Sequence, residues 1–400
     1  MGSLLLVAAI AAGQPQPAPD HFVAVSPAAE RPVGPLLQVT PDGTAELGGL
    51  TGPVVVRDVV SLRRVGFPVP GFPRSPGLLT TTGDRIPGRL VGGDAQAIRF
   101  HPAGAREPWV VPVQAISLLE FTVLPADTPP DPDRVSWLGA NRKRDILRLR
   151  NGDIAPGTVV GFAEDGDVIR FKPDAGEERA VPLAAAGALA LNPALASARR
   201  PKGAYSRIVL RDGTRLHLAA VSADATTVRG KTLFGQPVEL AVSDIVALDT
   251  VRGKATDLSA LKPRVEQSGF LGVAWPWAAD RTVRGEPLRL MTDAGVETFD
   301  SGLGTHPRTT LTFELGGTYR RFEALAGLDP VTGRQGRAVV RVSVDGKDQA
   351  LPGLFDLVPG PAVPVRVDLS GAKQLTLAVE PGPAGDVQAD VNWADARLFE

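Results

Sequence analysis

The stretch TGDRIPG at residues 82–88 returns as NGDIAPG at residues 151–157, and IVLRDGTRLHL at residues 208–218 is a third copy of the same pattern. In each copy a glycine-centred turn follows a short strand with alternating apolar residues and precedes a second apolar strand. Asn-Gly and Asp-Gly supply the positive φ that a two-residue hairpin turn requires. The first two-thirds of the chain are therefore predicted to consist of repeated β units.

Each predicted unit has the size of a small barrel, because four or five short strands within about 50 residues fit an SH3-like or Sm-like barrel. Gly83, Gly152 and Gly213 are expected to occupy equivalent hairpin turns with positive φ. Residues 37–64 resemble a fourth, degenerate copy, with its turn at residues 41–43.

Composition favours an all-β chain and argues against several classes of function. The 44 Gly and 37 Pro residues are scattered between short apolar runs, which is typical of many strands joined by tight turns. A net charge of −1 supplies no excess of cations for a phosphate backbone, so nucleic-acid binding is not predicted. The absence of cysteine excludes disulfides and thiol catalysis, and four histidines leave little room for a histidine metal site.

The amino terminus has the pattern of an export signal. Residues 4–12 read LLLVAAIAA and precede a Pro-rich polar segment, which matches the apolar core and cleavage zone of a secretory signal. A buried N-terminal strand is the alternative interpretation. No later stretch reaches the roughly 18 apolar residues that a membrane helix needs. A mature chain in the periplasm or outside the cell, with no membrane span, is therefore predicted.

The character of the sequence changes after Val265. Short motifs then follow in the order WPW (275–277), SGLGTH (301–306), LTFELGG (311–317), YRRF (319–322), GLD (327–329), VDG (344–346) and NWADA (392–396). In content and order they resemble the NPCBM family of carbohydrate-binding modules, which are found beside glycoside hydrolases. The resemblance covers residues 266–400, and it departs from the family pattern at Asp329-Pro330 and at Val391.

The resemblance implies a galactose-binding-like jelly-roll β-sandwich that recognises a glycan or polysaccharide through loops at one end. It also implies a structural calcium ion in some members, and no other cofactor is expected. Apolar alternation at residues 311–315 and 340–344 independently predicts strands with one buried face. The predicted fold class is all-β, with tandem small SH3/Sm-like barrel repeats followed by this sandwich.

Four residues are predicted to contact the sugar: His306, Asp390, Asn392 and Trp393. They lie in segments that the resemblance places at matching positions. An aromatic face covers the C–H side of a sugar ring, and imidazole, amide and carboxylate groups bracket its hydroxyls. The alternative at each position is a structural role, above all for Trp393 as a core residue.

Other patterns give weaker signals. Trp275 and Trp277 lie two residues apart and would face the same side of a strand, so they form either a shared core patch or an exposed stacking platform. The core interpretation is favoured. RGKT at residues 229–232 lacks the glycine that a phosphate-binding loop requires, and GLG at residues 302–304 precedes no helix pattern. With 44 acidic residues available, neighbouring acids are expected by coincidence, so a hydrolase pair is not inferred and the chain is not predicted to be an enzyme.

These patterns divide the chain into six predicted parts: a signal-like export segment (1–22), a degenerate β unit (23–75), a barrel-like repeat (76–124), a linker with a second barrel-like repeat (125–197), a third barrel-like repeat (203–252) and the NPCBM-like sandwich (266–400). An accessible linker is expected at residues 252–264, which would allow residues 266–400 to fold alone.

The predicted function is that of an exported, non-catalytic carbohydrate-binding protein whose barrels are spacers or contacts for envelope proteins. The alternative is a cell-envelope interaction scaffold whose sandwich has lost sugar binding. A glycoside hydrolase with its site in the repeats ranks below both.

Overall fold

The computed structural model describes residues 20–28, 30–123, 143–195, 200–269, 275–383 and 385–400. These residues form 33 β-strands and five short 3₁₀ helices, so the all-β prediction is confirmed. In the described part of the chain, no helix has the length and apolar character needed to cross a membrane. Most of the predicted export segment lies outside the described residues, but His21 and Phe22 belong to the first strand, where Phe22 is buried.

The first 20 strands form four units of five strands, which we call barrels 1 to 4. Barrel 1 contains His21–Val25 (β1), Val33–Val39 (β2), Ala45–Gly49 (β3), Gly52–Val56 (β4) and Ser61–Arg64 (β5). Barrel 2 contains Gly77–Thr80 (β6), Arg85–Gly93 (β7), Ala97–Pro102 (β8), Trp109–Pro112 (β9) and Ile116–Glu120 (β10). Barrel 3 contains Asp145–Leu149 (β11), Ile154–Phe162 (β12), Val168–Pro173 (β13), Arg179–Pro182 (β14) and Ala186–Ala190 (β15). Barrel 4 contains Tyr205–Leu210 (β16), Arg215–Ala223 (β17), Thr227–Thr232 (β18), Pro237–Ala241 (β19) and Ile245–Val251 (β20).

All four barrels share one pairing order. The first strand pairs with the second and the fifth, and the second, third and fourth strands follow as antiparallel neighbours. The second strand of every barrel has a register shift opposite the third, and such bulges bend a strand and let a small sheet curl. Barrels 2, 3 and 4 also place a 3₁₀ helix before the fifth strand, at Val113–Ala115, Leu183–Ala185 and Val242–Asp244. A further 3₁₀ helix, Pro193–Leu195, follows barrel 3.

The turn glycines occupy the predicted positions in three barrels. Gly83, Gly152 and Gly213 have φ values of 101°, 94° and 89°, and each lies between the first and second strands of its barrel. Gly43, with φ 86°, lies between the second and third strands of barrel 1. The turn at residues 41–43 is therefore real but not equivalent to the others, because barrel 1 begins at His21 rather than at residue 37.

The barrels associate in pairs through their fifth strands. β10 pairs with β15 and joins barrel 2 to barrel 3, whereas β20 pairs with β5 and joins barrel 4 to barrel 1. One cluster of buried apolar side chains runs through all four barrels. These units are therefore packed against one another rather than strung out along the chain.

The last part of the chain is a sandwich of two antiparallel sheets with a side hairpin. One sheet has six strands: Ala255–Asp257 (β21), Ala278–Ala279 (β23), Gly302–Thr305 (β26), Arg321–Leu328 (β28), Val363–Asp368 (β31) and Val391–Phe399 (β33). The other has five: Arg264–Gln267 (β22), Thr309–Glu314 (β27), Ala338–Val344 (β29), Lys347–Asp348 (β30) and Gln374–Pro381 (β32). The hairpin consists of Leu288–Thr292 (β24) and Gly295–Phe299 (β25), and the fifth 3₁₀ helix is Leu258–Ala260.

The expected linker at residues 252–264 is wrong. β21 pairs with the last strand, β33, and Leu258 is fully buried in the core between the two sheets. Because residues 255–260 supply a strand and a core side chain, the sandwich begins before residue 266. The sequence did not indicate this strand, because the segment is mostly polar and its one fully buried side chain, Leu258, creates no apolar periodicity.

Buried ion pairs join barrels 1 and 4 to the sandwich. Asp249 of barrel 4 accepts hydrogen bonds from Arg63 (2.6 Å), Arg207 (2.9 Å) and Arg397 of the sandwich (3.4 Å). Asp395 of the sandwich pairs with Arg63 at 3.2 Å and with Arg397 at 3.0 Å. We call these five residues the Asp249 network. The network joins the sandwich to barrels 1 and 4 through charged side chains from both parts of the chain.

Candidate functional site

Polar and aromatic side chains converge at one end of the sandwich. They come from the segment before β23, the turn after it, the connection between β26 and β27, the loop after β28 and the residues just before β33. Loops that meet at one end of a rigid sandwich are a frequent location of binding residues. We call this region the loop-end site and define it by Trp275, Arg284, His306, Thr332 and Asp390.

Asp390 is the buried centre of the loop-end site, with 2% of its surface exposed. Its Oδ2 accepts hydrogen bonds from Arg284 Nε (2.8 Å) and Thr332 Oγ1 (3.0 Å). Its Oδ1 lies 3.8 Å from His306 Nε2, and no described residue donates a hydrogen bond to it. A buried carboxylate oxygen without a donor is costly, so this atom retains unused capacity to accept a hydrogen bond.

His306 is oriented toward this oxygen. Its Nδ1 lies 3.3 Å from the carbonyl oxygen of Pro307, and a proton on Nδ1 that is donated to this carbonyl leaves Nε2 as an acceptor. Nε2 and Asp390 Oδ1 are then two acceptors 3.8 Å apart. A group that carries several hydroxyl donors is chemically suited to this pair.

Trp275 supplies an aromatic surface beside His306. The side chain is 38% exposed, and its ring centroid lies 6.0 Å from that of His306. The guanidinium carbon of Arg284 lies 4.9 Å from the centre of the Trp275 ring. Gln267 Nε2 donates to the carbonyl oxygen of Trp275 at 2.7 Å and holds the segment in place. The core interpretation is therefore wrong for Trp275, whereas Trp277 does pack against the sandwich core.

Asn392 lies behind the loop-end site and organises it. The side chain is 1% exposed, and its Nδ2 donates to the carbonyl oxygen of Arg289 and to Asp329 Oδ2, each at 3.0 Å. Asp329 Oδ1 in turn accepts the backbone N–H groups of Val331 and Thr332 at 2.8 and 3.0 Å. Asn392 therefore shapes the loop that carries Thr332, and its own surface is closed to a ligand.

Trp393 cannot stack on a sugar in this structure. The side chain is fully buried in the sandwich core, and its Nε1 donates to Thr305 Oγ1 at 3.2 Å. Successive residues of a strand point to opposite faces of the sheet, so Trp393 and its neighbours cannot all face one ligand. Of the four predicted site residues, His306 and Asp390 come together, whereas Asn392 and Trp393 have structural positions.

Sequence reasoning missed Arg284 and Thr332 altogether. Arg284 is presented by the turn that Thr282 and Glu286 close through a backbone hydrogen bond of 2.9 Å. Burial raises the pKa of Glu286, which belongs to the same turn. No motif distinguishes this arginine from the others in the chain, so only the fold could reveal it.

Comparison with known proteins identifies the region that carries this site. Residues 254–399 match the family described as the NPCBM/NEW2 domain. The C-terminal region is an NPCBM domain. The domain begins 12 residues earlier than the predicted residue 266, in agreement with the position of β21. No curated protein matches the chain.

Several solved structures are similar to the chain. A CBM51 module of Clostridium perfringens GH95, in complex with methyl-galactose, is 23% identical, with 36% of this chain and 99% of that chain covered and a TM-score of 0.32. The CBM51-2 and INT domains of Clostridium perfringens ZmpB are 22% identical, with coverages of 46% and 38% and a TM-score of 0.34. The tandem CBM51 modules of a family 98 glycoside hydrolase from Streptococcus pneumoniae are 14% identical, with coverages of 64% and 71% and a TM-score of 0.33.

The structural calcium ion that the resemblance implies for some members can be compared with the acidic residues that the structure describes in the NPCBM domain. Among the described residues, no three His, Cys, Asp or Glu side chains come together in a way that could hold a metal ion. Asp329 and Asp390, the buried acids of the loop-end site, already accept hydrogen bonds from backbone, Asn392, Thr332 and Arg284.

Proposed function

We propose that the protein is an exported, non-catalytic carbohydrate-binding protein whose NPCBM domain binds a neutral sugar at the loop-end site. The observation that carries this proposal is the exposed Trp275 ring beside His306 Nε2 and Asp390 Oδ1, which lie 3.8 Å apart. Export is inferred from the apolar run at residues 4–12 and its small-residue flank.

The side chains of the site suit the two faces of a sugar ring. The C–H face would pack on the exposed part of Trp275, while hydroxyl groups would donate to Asp390 Oδ1 and His306 Nε2. Arg284 would donate to a ring or hydroxyl oxygen from the edge of the site. Sugar hydroxyls already bond well to water, so we expect affinities between micromolar and millimolar, roughly −8 to −4 kcal/mol.

The barrels are proposed to form a rigid base that presents the NPCBM domain. Support comes from the Asp249 network, which ties the domain to barrels 1 and 4. Contacts with envelope proteins would then use the barrel surfaces that face away from the domain.

Titration calorimetry of the full chain with a panel of neutral mono- and disaccharides tests this proposal. Trp275→Ala and His306→Ala should each weaken binding at least fivefold, and their melting temperatures should stay close to that of the wild type because both side chains are partly exposed. His101→Ala, which changes a histidine on barrel 2, is the matched control and should bind like the wild type.

Two results would sink the proposal: a wild-type chain that binds no neutral sugar, or folded variants that bind as tightly as the wild type. The alternative of an envelope interaction scaffold without sugar binding would then take its place.

A further inference from the structure

The contact between His306 and Asp390 depends on a single proton. Nε2 of His306 lies 3.8 Å from Oδ1 of Asp390, which is too long for a hydrogen bond but close enough for a small side-chain rotation to form one. No donor in the described part of the chain reaches this oxygen. Whether the two residues bind each other is therefore decided by whether Nε2 carries a hydrogen.

The neutral form of His306 keeps the two atoms apart. A neutral imidazole carries one ring hydrogen, and the carbonyl oxygen of Pro307, 3.3 Å from Nδ1, favours that hydrogen on Nδ1. Nε2 then presents a lone pair toward the lone pairs of Asp390 Oδ1. A ligand that carries hydroxyl hydrogens can donate to both atoms, so the neutral form favours a bound sugar.

The protonated form of His306 has the opposite effect. Nε2 then becomes a cationic donor opposite a carboxylate whose side chain is only 2% exposed. Charge-assisted hydrogen bonds are roughly twice as strong as those between neutral groups. A direct bond between Nε2 and Oδ1 would occupy both atoms, and a sugar hydroxyl would have to break it in order to bind.

The other charges around His306 do not replace Asp390 as its partner. Arg284 donates to Oδ2 of Asp390 at 2.8 Å, so it adds a positive charge beside the pair. Among the described acids, Asp390 is the one that lies within 4.0 Å of a ring nitrogen of His306. The remaining charged side chains on the neighbouring elements are engaged elsewhere: Glu286 with Arg289 (3.9 Å), Asp329 with Asn392 (3.0 Å) and Arg308 with Asp386 (3.5 Å).

We propose that protonation of His306 prevents sugar binding at the loop-end site, so that the domain binds its sugar at neutral pH and releases it in mild acid. This inference rests on the proposed function, because it concerns the same two acceptor atoms. Histidine changes charge between pH 5 and 8, whereas an aspartate ordinarily stays ionised in this range. Sugar binding to the protonated form therefore releases one proton.

Titration calorimetry of the full chain at pH 8 and pH 5.5, with the same panel of neutral mono- and disaccharides, tests the proposal. A required deprotonation weakens binding by up to tenfold for each pH unit, so we expect binding about five- to tenfold weaker at pH 5.5. At about pH 6 the heat of binding should differ between phosphate and bis-Tris buffers, because the released proton is taken up by the buffer.

His306→Gln is the decisive variant, because its amide keeps an acceptor in the side chain but does not titrate. Its affinity should be equal at the two pH values, and its heat of binding should be equal in the two buffers. His101→Gln, which changes a histidine on barrel 2, is the matched control and should keep the wild-type pH dependence. If His306→Gln binds too weakly to measure, imidazole NMR of the wild type decides: saturating sugar should hold His306 in its neutral form at pH 5.5.

The outcomes separate this inference from the proposed function. If no neutral sugar binds at pH 8, the proposed function fails and this inference fails with it. If a sugar binds equally well at both pH values, or if His306→Gln keeps the wild-type pH dependence, only the inference about His306 is overturned. It is also overturned if the imidazole of His306 is protonated at pH 5.5 while sugar is bound.

Discussion

The Asp249 network offers the sharpest test of how the chain is assembled. In an Asp249→Asn variant the side chain keeps its shape but loses the charge that faces Arg207 and Arg397, which are buried, and the partly buried Arg63. Arg63 and Arg397 would retain Asp395 at 3.2 and 3.0 Å. Among the described residues, the ion-pair partner left to Arg207 would be Asp300 at 4.0 Å, so Arg207 suffers the largest loss.

The expected destabilisation follows from this count of remaining partners. Removing one member of a buried ion pair costs about 3–5 kcal/mol, because the other charge is left uncompensated. Two of the three arginines keep a close partner, so the lower end applies and we expect about 3 kcal/mol. Urea unfolding followed by tryptophan fluorescence measures the change, since Trp393 lies in the sandwich core.

The pH dependence gives the same prediction a second readout. Burial would raise the pKa of Asp249, but the charges of Arg63, Arg397 and Arg207 outweigh it and hold this pKa far below its usual range. Such a group contributes stability above its unfolded pKa of about 3.9, and this contribution is lost as the pH falls toward the folded value. The difference between wild type and Asp249→Asn should therefore be constant from pH 5 to 7 and shrink below about pH 4.

An exposed pair serves as the control for both measurements. Asp224 lies 2.8 Å from Arg229, and both side chains are half exposed, so Asp224→Asn should change stability little. The network does not hold the domains together if the free energy of unfolding of Asp249→Asn lies within 1 kcal/mol of the wild-type value at pH 7. The same conclusion follows if the difference between the two free energies does not become smaller below about pH 4.

Two further predictions concern turns and the domain boundary. Gly152→Ala should cost about 1–2 kcal/mol for its positive φ alone. Gly213→Ala should cost more, because the added Cβ would also collide with the carbonyl oxygen of Gly71. Equal urea midpoints for the two variants would contradict this. Leu258→Ala should destabilise the sandwich by about 2–5 kcal/mol, and a fragment that starts at residue 266 should unfold more easily than one that starts at residue 254. Equal stability of the two fragments in urea would restore the linker interpretation.

The candidate site was only partly predictable. His306 could be found because it lies in a short motif of recognisable order, and Asp390 because it lies two residues before another. The chemistry of imidazole and carboxylate groups suggested that both residues bind sugar hydroxyls. Trp393 belongs to an equally recognisable motif, yet its ring is fully buried. A motif shows which residues a family shares, but it does not show which of them pack in the core and which of them bind a ligand. Trp275 was assigned to the core on the assumption that it lies in a strand, but the segment that carries it is not a strand, so the two-residue period does not apply.

Local patterns in the sequence determined the all-β class, the hairpin turns at Gly83, Gly152 and Gly213 and the family of the C-terminal domain, because turn chemistry and apolar alternation act between near neighbours. Only the tertiary structure decided how the units meet. The pairing of β5 with β20, the three arginines around Asp249 and the pair of His306 and Asp390 join residues that are far apart in the chain. The sequence does not distinguish one arginine or aspartate from another. Burial removes water from a charged side chain, and its ion-pair partner then becomes important for stability.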